Sequence, residues 1–214
     1  MNTELEHYKW MRKVVGYITI LLPVLPILFG FIGKNNPPNW WHSISATYHT
    51  NANGVMVSML AICGFTFCTY PGYDYRDRII NSLSGISLFG IIFVPCADPN
   101  LEITGPIGLF QLDASVSRWL HAVIALFLFI TLFINIRFLF TKSSGEMTQG
   151  KKKRNLLYKI TSYCIVPTSL IVLFAAFVFK SLPHWLVLVA EAIALIPCGI
   201  AWLVKGEAIS ALND

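Results

Sequence analysis

VSRWLHAVIALFLFITLFINIRFLF, residues Val116–Phe140, is the stretch of this sequence that decides the fold class. Its 25 residues carry charge only at Arg118 and Arg137, near the two ends. About 20 apolar residues in a helix are enough to cross the hydrocarbon core of a bilayer. The stretch therefore predicts a transmembrane helix in an integral membrane protein.

The composition of the whole chain supports this prediction. Of the 214 residues, 55% are hydrophobic and only 13% are charged, whereas soluble domains have about 25% charged residues. A soluble domain of this length could not bury so much apolar surface. The same values exclude a disordered chain, a collagen-like chain and a disulfide-rich secreted scaffold.

Six apolar stretches are candidates for membrane spans. They cover Val14–Gly33, Gly54–Tyr70, Ile79–Cys96, Val116–Phe140, Tyr158–Phe179 and Trp185–Val204. The predicted fold class is therefore all-α: one integral membrane domain over residues 1–214, folded as a six-helix transmembrane bundle. Five spans are the main alternative.

The basic residues predict how the bundle is oriented. With six spans, 13 of the 16 Lys and Arg residues fall on the side of the N-terminus. The positive-inside rule then places both termini in the cytoplasm. The basic run Lys151–Arg154 lies in a short loop on that side, where it orients the protein and contacts anionic lipid. The lipid bilayer is thus the predicted partner, and nucleic acid is not.

Three ionisable residues stand out inside the predicted spans: Arg118, His121 and Glu191. The spans that contain His121 and Glu191 begin at the outer side. His121 lies about five residues into its span and Glu191 about six, which is ~8 and ~9 Å at 1.5 Å per residue. Such a group costs ~2.5–3.5 kcal/mol in the middle of a span, so it is retained for a reason. Function is the first reason to consider, and an interhelical hydrogen bond that fixes packing is the alternative.

Other polar residues are predicted on the same outer side, and together they define a candidate site. Histidine and carboxylate side chains are the usual protein ligands of zinc besides cysteine, and the candidate ligands are His49, His121, His184, Asp98 and Asp113. Glu191 is the candidate general base or further ligand, and Ser45 is a candidate nucleophile. Arg118, His42 and Tyr48 complete the predicted polar cavity. In the alternative interpretation, His42 and His184 lie beside tryptophans at the membrane interface. Arg118 then reaches the lipid headgroups, or it pairs with Asp113 or Glu191. No H-x-x-x-H or H-E-x-x-H spacing is present, so only tertiary contacts could assemble the site.

Several phrases give the chain a family resemblance. They are Ser43–Thr50 (SISATYHT), Tyr70–Asp74 (YPGYD), Val94–Cys96 (VPC), Leu120–Ala122 (LHA) and Gly199–Gly206 (GIAWLVKG). The sequence resembles a group of uncharacterised bacterial six-span membrane proteins, which implies the inner membrane but no activity.

A more distant similarity is to the superfamily of alkaline ceramidases and of adiponectin and progestin receptors. Its members have seven spans and hold zinc with a Ser, an Asp and three His. The similarity implies these roles for Ser45, Asp98 or Asp113, His49 and His121. This chain lacks one span and the late H-x-x-x-H pair, and offers His184 and Glu191 instead.

Three functions follow as hypotheses. The first is a metal-dependent hydrolase that acts on a lipid or amphiphile at the outer leaflet. The second is a small transporter, channel or ligand-binding protein that uses the same cavity. The third is a non-catalytic sensor or assembly subunit, with its basic cytoplasmic loop as the contact surface.

Overall fold

The computed structural model describes residues 3–72, 74–97, 101, 103, 105–142, 147–178, 183 and 185–212. Over these residues the protein is all-helical and has no β-strand, which confirms that the fold is all-α; one isolated bridge joins Ile107 and Leu112. The helices are α1 (Thr3–Leu21), α2 (Leu25–Ile32), α3 (Asn53–Thr69), α4 (Tyr75–Phe93), α5 (Ala114–Ile134), α6 (Gln149–Val178) and α7 (Leu186–Lys205).

Each of the six predicted spans coincides with helical structure, but the first one is broken. α1 and α2 meet at a bend of 46°. Pro23 lies in the break and Pro26 in the first turn of α2. Proline supplies no N–H to a helix interior, whereas it is tolerated in a first turn, so the chain stops one helix and starts another.

Length and composition single out a smaller set of helices as candidate membrane spans. Among the described residues, Ala114–Leu139 and Leu186–Lys205 are long and apolar enough to cross a membrane. The bent pair Leu5–Leu21 and Leu25–Ile32 adds a third candidate if it is counted as one span. α3 is apolar but shorter, with 17 residues.

The helices form a closed ring. α1 packs against α7, α7 against α6, α6 against α5, α5 against α4, α4 against α3, and α3 against α1. We call the end that carries the two 3-10 helices Trp40–His42 and Ser45–His49 the outer end, and the end near the chain termini the inner end. The space inside the ring is where polar residues from distant parts of the sequence can meet.

Small residues allow the closest helix contacts. A Cβ on Gly199 of α7 would lie 2.6 Å from the backbone oxygen of Gly16 of α1. Likewise, a Cβ on Gly85 of α4 would lie 2.7 Å from the oxygen of Gly64 of α3. Without side chains at these four positions the backbones come into direct contact, as is common where membrane helices associate.

An aromatic cluster fills the ring toward its inner end. The Trp202 ring is 1% exposed and packs edge-on against Phe140 and Phe67, with centroids 4.8 and 5.0 Å away. Tyr70 and Tyr158 extend the cluster. Edge-to-face packing of this kind is favourable and leaves little free space. The cluster therefore closes the ring on its inner side.

Cations at the inner end satisfy the carbonyl groups where helices finish. Arg12 donates to the oxygen of Lys205 at 3.1 Å, and the Lys205 ammonium donates to the oxygen of Phe140 at 3.2 Å. The last carbonyls of a helix have no partner within it, and positive charge is favoured beside them. Lys142 forms an ion pair with the buried Asp77. The hydrogen bond of Lys142 to Asp74 holds the pKa of the Asp74 carboxyl below its usual value.

Candidate functional site

A narrow cavity runs along the inside of the ring. The centre of a sphere the size of a water molecule can occupy about 70 Å³ inside it. On α3 its wall extends from Met56 to Phe67, a length of ~16 Å at 1.5 Å per residue. The wall also includes Leu60, Leu88, Ile91, Ala125, Leu128, Phe129, Leu132 and Leu195. Spread over that length, the path of the sphere's centre is ~2.3 Å across, so with its ~1.4 Å radius on each side the cavity is ~5 Å wide, about the width of one alkyl chain.

Two of the predicted site residues, Glu191 and Ser45, line this cavity. Glu191 lies in the second turn of α7, and its Oε2 accepts a hydrogen bond of 2.7 Å from the backbone N–H of Ile44. Ile44 and Ser45 begin the 3-10 helix that covers the outer end of the cavity. The sequence distance between the bonded groups is 147 residues, so this contact exists only in the folded chain.

The other oxygen of Glu191 and the hydroxyl of Ser45 form no protein hydrogen bond within the described part of the chain. Both side chains are partly exposed, and both residues belong to the cavity lining. The outer end of the cavity thus carries the carboxyl of Glu191 and the hydroxyl of Ser45. The rest of the wall is apolar apart from the hydroxyl of Thr19 and the thiols of Cys63 and Cys198. This gradient is the main chemical feature of the cavity.

His121 and His49 meet at a second place, where α4 ends. His121 Nδ1 is 2.7 Å from the oxygen of Val94, and His49 Nε2 is 2.6 Å from that of Cys96. Between them, Ser117 Oγ donates to the oxygen of Pro95 at 2.8 Å.

These contacts satisfy carbonyls at the end of α4 and in the segment that follows it. Val94, Pro95 and Cys96 receive side-chain donors, and the oxygen of Phe93 accepts from the N–H of Leu109 at 3.1 Å. Pro95 has no N–H and stops the helix. Buried backbone carbonyls need hydrogen-bond donors wherever water is excluded. The two histidines thus hold an irregular chain segment in place.

The same contacts determine which ring nitrogens carry hydrogen. A carbonyl only accepts, so the hydrogen sits on Nδ1 of His121 and on Nε2 of His49. In a neutral imidazole the other nitrogen, Nε2 of His121 and Nδ1 of His49, then has a free lone pair. Burial lowers the pKa of His49, against the opposing effect of the Cys96 carbonyl, and this favours the neutral form.

The two groups of residues lie at opposite ends of the 3-10 helix Ser45–His49. At about 2 Å per residue, five residues separate them by roughly 10 Å. Within the described residues, His49, His121 and Glu191 are not placed to hold one metal ion together.

The remaining predicted residues have varied positions. His42 is 2% exposed, and its Nδ1 is 2.8 Å from the oxygen of Asn39. The Tyr48 ring packs edge-on against His49.

Asp113 is exposed. It immediately precedes α5, and its side chain does not cap the helix. Arg118 is partly exposed and forms no ion pair with a described residue, so pairing with Asp113 or Glu191 is not observed. Asp98 and His184 lie outside the described residues.

Within the described ranges, no group of three or more His, Cys, Asp or Glu side chains is placed to hold a metal ion. Two of the five predicted ligands, Asp98 and His184, fall outside those ranges. The described residues contribute a pair of histidines, which is fewer ligands than a protein zinc site uses.

Sequence reasoning missed a polar chain between α4 and α5. Asn135 donates to Asn81 at 2.6 Å, and Ser84 donates to Thr131 at 2.9 Å. A π-turn over Asn135–Leu139 places Asn135 in this contact. The spacing of Asp77, Asn81 and Ser84 along one helix face could have revealed it.

Toward the outer end this polar chain meets an apolar wall. Leu88, Leu128 and Leu132 line the cavity within one turn of Ser84 and Thr131. Together with the aromatic cluster, these side chains separate the inner polar chain from Glu191. The arrangement therefore favours a binding cavity over a continuous polar pathway.

Comparison with known proteins adds no further constraint. No family model, no curated protein and no solved structure matches this chain.

Proposed function

We propose that this protein is a six-span integral membrane protein that binds a small amphiphile in its central cavity. The observation that carries the proposal is the gradient along the cavity, which has apolar side chains over most of its length and Glu191 with Ser45 at its outer end. An amphiphile has the same gradient. Ligand sites are typically lined by apolar side chains, with a few polar groups that orient the ligand.

Six spans and cytoplasmic termini are part of this proposal. The helices coincide with the six apolar stretches, and neighbours in the ring also follow one another along the chain. The chain termini share one end with Arg12, Lys142 and Lys205. By the positive-inside rule, that end faces the cytoplasm. The resemblance to bacterial six-span proteins makes the inner membrane the proposed location.

Filling the cavity tests the proposal. Ala125 lines the cavity, so Ala125→Leu should occupy its middle without displacing a packed group. In lipid nanodiscs, dodecanol at about 100 times its dissociation constant should stabilise the wild type by about 2.7 kcal/mol. The same addition should leave Ala125→Leu nearly unchanged. The measurement is the unfolding temperature followed by tryptophan fluorescence.

A matched variant separates cavity filling from a general effect of added bulk. Ala122 also belongs to α5, is partly exposed and is absent from the cavity wall. Ala122→Leu makes the same chemical change outside the cavity, so it should keep the response to dodecanol. Equal stabilisation of the wild type and Ala125→Leu would show that the alcohol acts through the bilayer, and the proposal would fail.

A zinc-dependent hydrolase is a second candidate, favoured by the histidine pair. Zinc-bound histidines commonly donate their other N–H to a carbonyl, which is the arrangement of His49 and His121. Both could contribute a lone pair to zinc, with further ligands from Asp98 or His184. Zinc supplies an activated water for hydrolysis when it is bound.

Metal content tests this second candidate. The purified protein should contain about one zinc per chain by atomic emission, as expected for a resident zinc site. The double variant His49→Ala, His121→Ala should lose it. Zinc-free wild-type protein from cells grown with added zinc would exclude the candidate and leave amphiphile binding untouched.

A further inference from the structure

The chemistry at the outer end of the cavity narrows the class of ligand. Glu191 has one carboxylate oxygen on the N–H of Ile44, while its other oxygen has no protein donor in the described part of the chain. A carboxylate in largely apolar surroundings is costly unless a cation or a hydrogen-bond donor pairs with it. A ligand that carries a cationic hydrogen-bond donor would supply this partner inside the cavity.

Among the described residues, the cavity-lining neighbours of Glu191 carry no positive charge that could pair with its free oxygen. Leu195 and Cys198 follow Glu191 on the cavity side of α7 and carry no charge. Ser45 on the facing 3-10 helix contributes a neutral hydroxyl. His42 is the titratable group that acts electrostatically on Glu191, but its Nδ1 is directed to the oxygen of Asn39. Among the described residues, no Lys or Arg belongs to the cavity lining.

The cavity also limits the shape of the rest of the ligand. Below Glu191 the wall extends for ~16 Å by the rise of α3, and it is apolar apart from the Thr19 hydroxyl and the thiols of Cys63 and Cys198. The centre of a water-sized sphere can occupy about 70 Å³ inside the cavity. This space fits one unbranched chain and excludes a two-chain phospholipid. Phe67 and the aromatic rings behind it mark the inner limit.

We infer that the ligand is a single-chain amphiphile with a primary ammonium head, which donates to the free oxygen of Glu191 and to the hydroxyl of Ser45. This inference rests on the proposed function and specifies its ligand class. An ammonium group on an alkyl chain stays charged at pH 7, as in lysine. Hydrogen bonds between ions are about twice as strong as those between neutral groups. An anionic head would instead be repelled by Glu191.

A set of probes with the same alkyl chain tests the inference. Dodecylamine, dodecanol, dodecyltrimethylammonium and dodecanoate are titrated into wild-type protein in neutral phosphatidylcholine nanodiscs, and affinities are taken from the shift of the unfolding temperature. Dodecylamine should bind about 10 to 100 times more tightly than dodecanol, as expected for hydrogen bonds to a charged group. The trimethylammonium compound, which has charge but no N–H, should fall between them, and dodecanoate should bind most weakly.

The variant Glu191→Gln identifies the group responsible. The amide can still accept from the N–H of Ile44, so the outer segment stays attached while the negative charge is removed. In this variant dodecylamine should lose its advantage over dodecanol. Ser210→Ala, at the inner end, is the control and should keep the advantage.

The outcomes separate this inference from the proposed function. Equal affinity of the amine and the alcohol in the wild type, with both blocked by Ala125→Leu, would overturn the ammonium inference and retain amphiphile binding. An advantage for the amine that survives Glu191→Gln would overturn it as well. Binding that Ala125→Leu does not affect would contradict the proposed function itself.

Discussion

Gly199→Ala is expected to lower the free energy of unfolding by about 3 kcal/mol, at the upper end of the range for overpacking. The new methyl carbon would lie 2.6 Å from the oxygen of Gly16 and 3.0 Å from the amide nitrogen of Ile20. Both are backbone atoms, which cannot rotate away, so α1 and α7 must separate. Unfolding in mixed detergent and dodecyl sulfate micelles, followed by tryptophan fluorescence, measures the change.

Gly54→Ala is the matched control. A Cβ at Gly54 has no atom of another group within 4 Å, and this position lies in the first turn of α3. The same chemical change should therefore leave stability unchanged or raise it by up to about 1 kcal/mol, since alanine is the better helix former. Equal effects at Gly199 and Gly54 would show that α1 and α7 do not approach each other as described.

His121→Ala is expected to cost about 3 kcal/mol, because it removes a buried ring and leaves the Val94 oxygen without its donor. Ser117→Ala removes the donor to Pro95 alone and should cost about 1–3 kcal/mol. Ser115, two residues earlier and exposed, provides the control. Ser115→Ala should change stability by no more than about 0.5 kcal/mol. The measurement is the same micelle titration.

Removing zinc with a chelator distinguishes two roles of His121, as a support for the end of α4 and as a metal ligand. If the ring acts by holding the end of α4, the loss of stability is the same with and without chelator. If it acts as a metal ligand, chelator should destabilise the wild type and not the variant. A cost below about 0.5 kcal/mol for both His121→Ala and Ser117→Ala would contradict the hydrogen bonds to the end of α4.

Much of the fold could be predicted because each helix carries its own signal. The stretch Val116–Phe140 predicts α5 through length and apolar content alone, and Trp185–Val204 predicts α7 within one residue at each end. Pro23 and Pro26 predict a kink in the first span, and the chain bends there by 46°, although as two separate helices rather than one kinked helix. A proline can kink, break or begin a helix, and only the surrounding packing selects among these outcomes.

The site was predictable as a list of residues and not as an arrangement. His121 and Glu191 were both identified by their cost inside a span, and both lie at the outer end of the bundle. Their separation into two groups depends on Ser45–His49, a segment that forms a 3-10 helix between them. The hydropathy of the sequence does not predict where this segment lies, because its position is set by hydrogen bonds to α7 and to the residues that follow α4.

The sequence by itself determined that the chain is helical and apolar, where its helices lie, and which few ionisable groups stand out against that background. These are local properties, set by the run of apolar side chains and by the free energy of each polar one. The tertiary structure alone decided that Glu191 faces a cavity while His121 supports the end of α4, and that Gly16 meets Gly199. Such contacts join residues far apart in the chain, and they depend on which face each helix turns toward its neighbours.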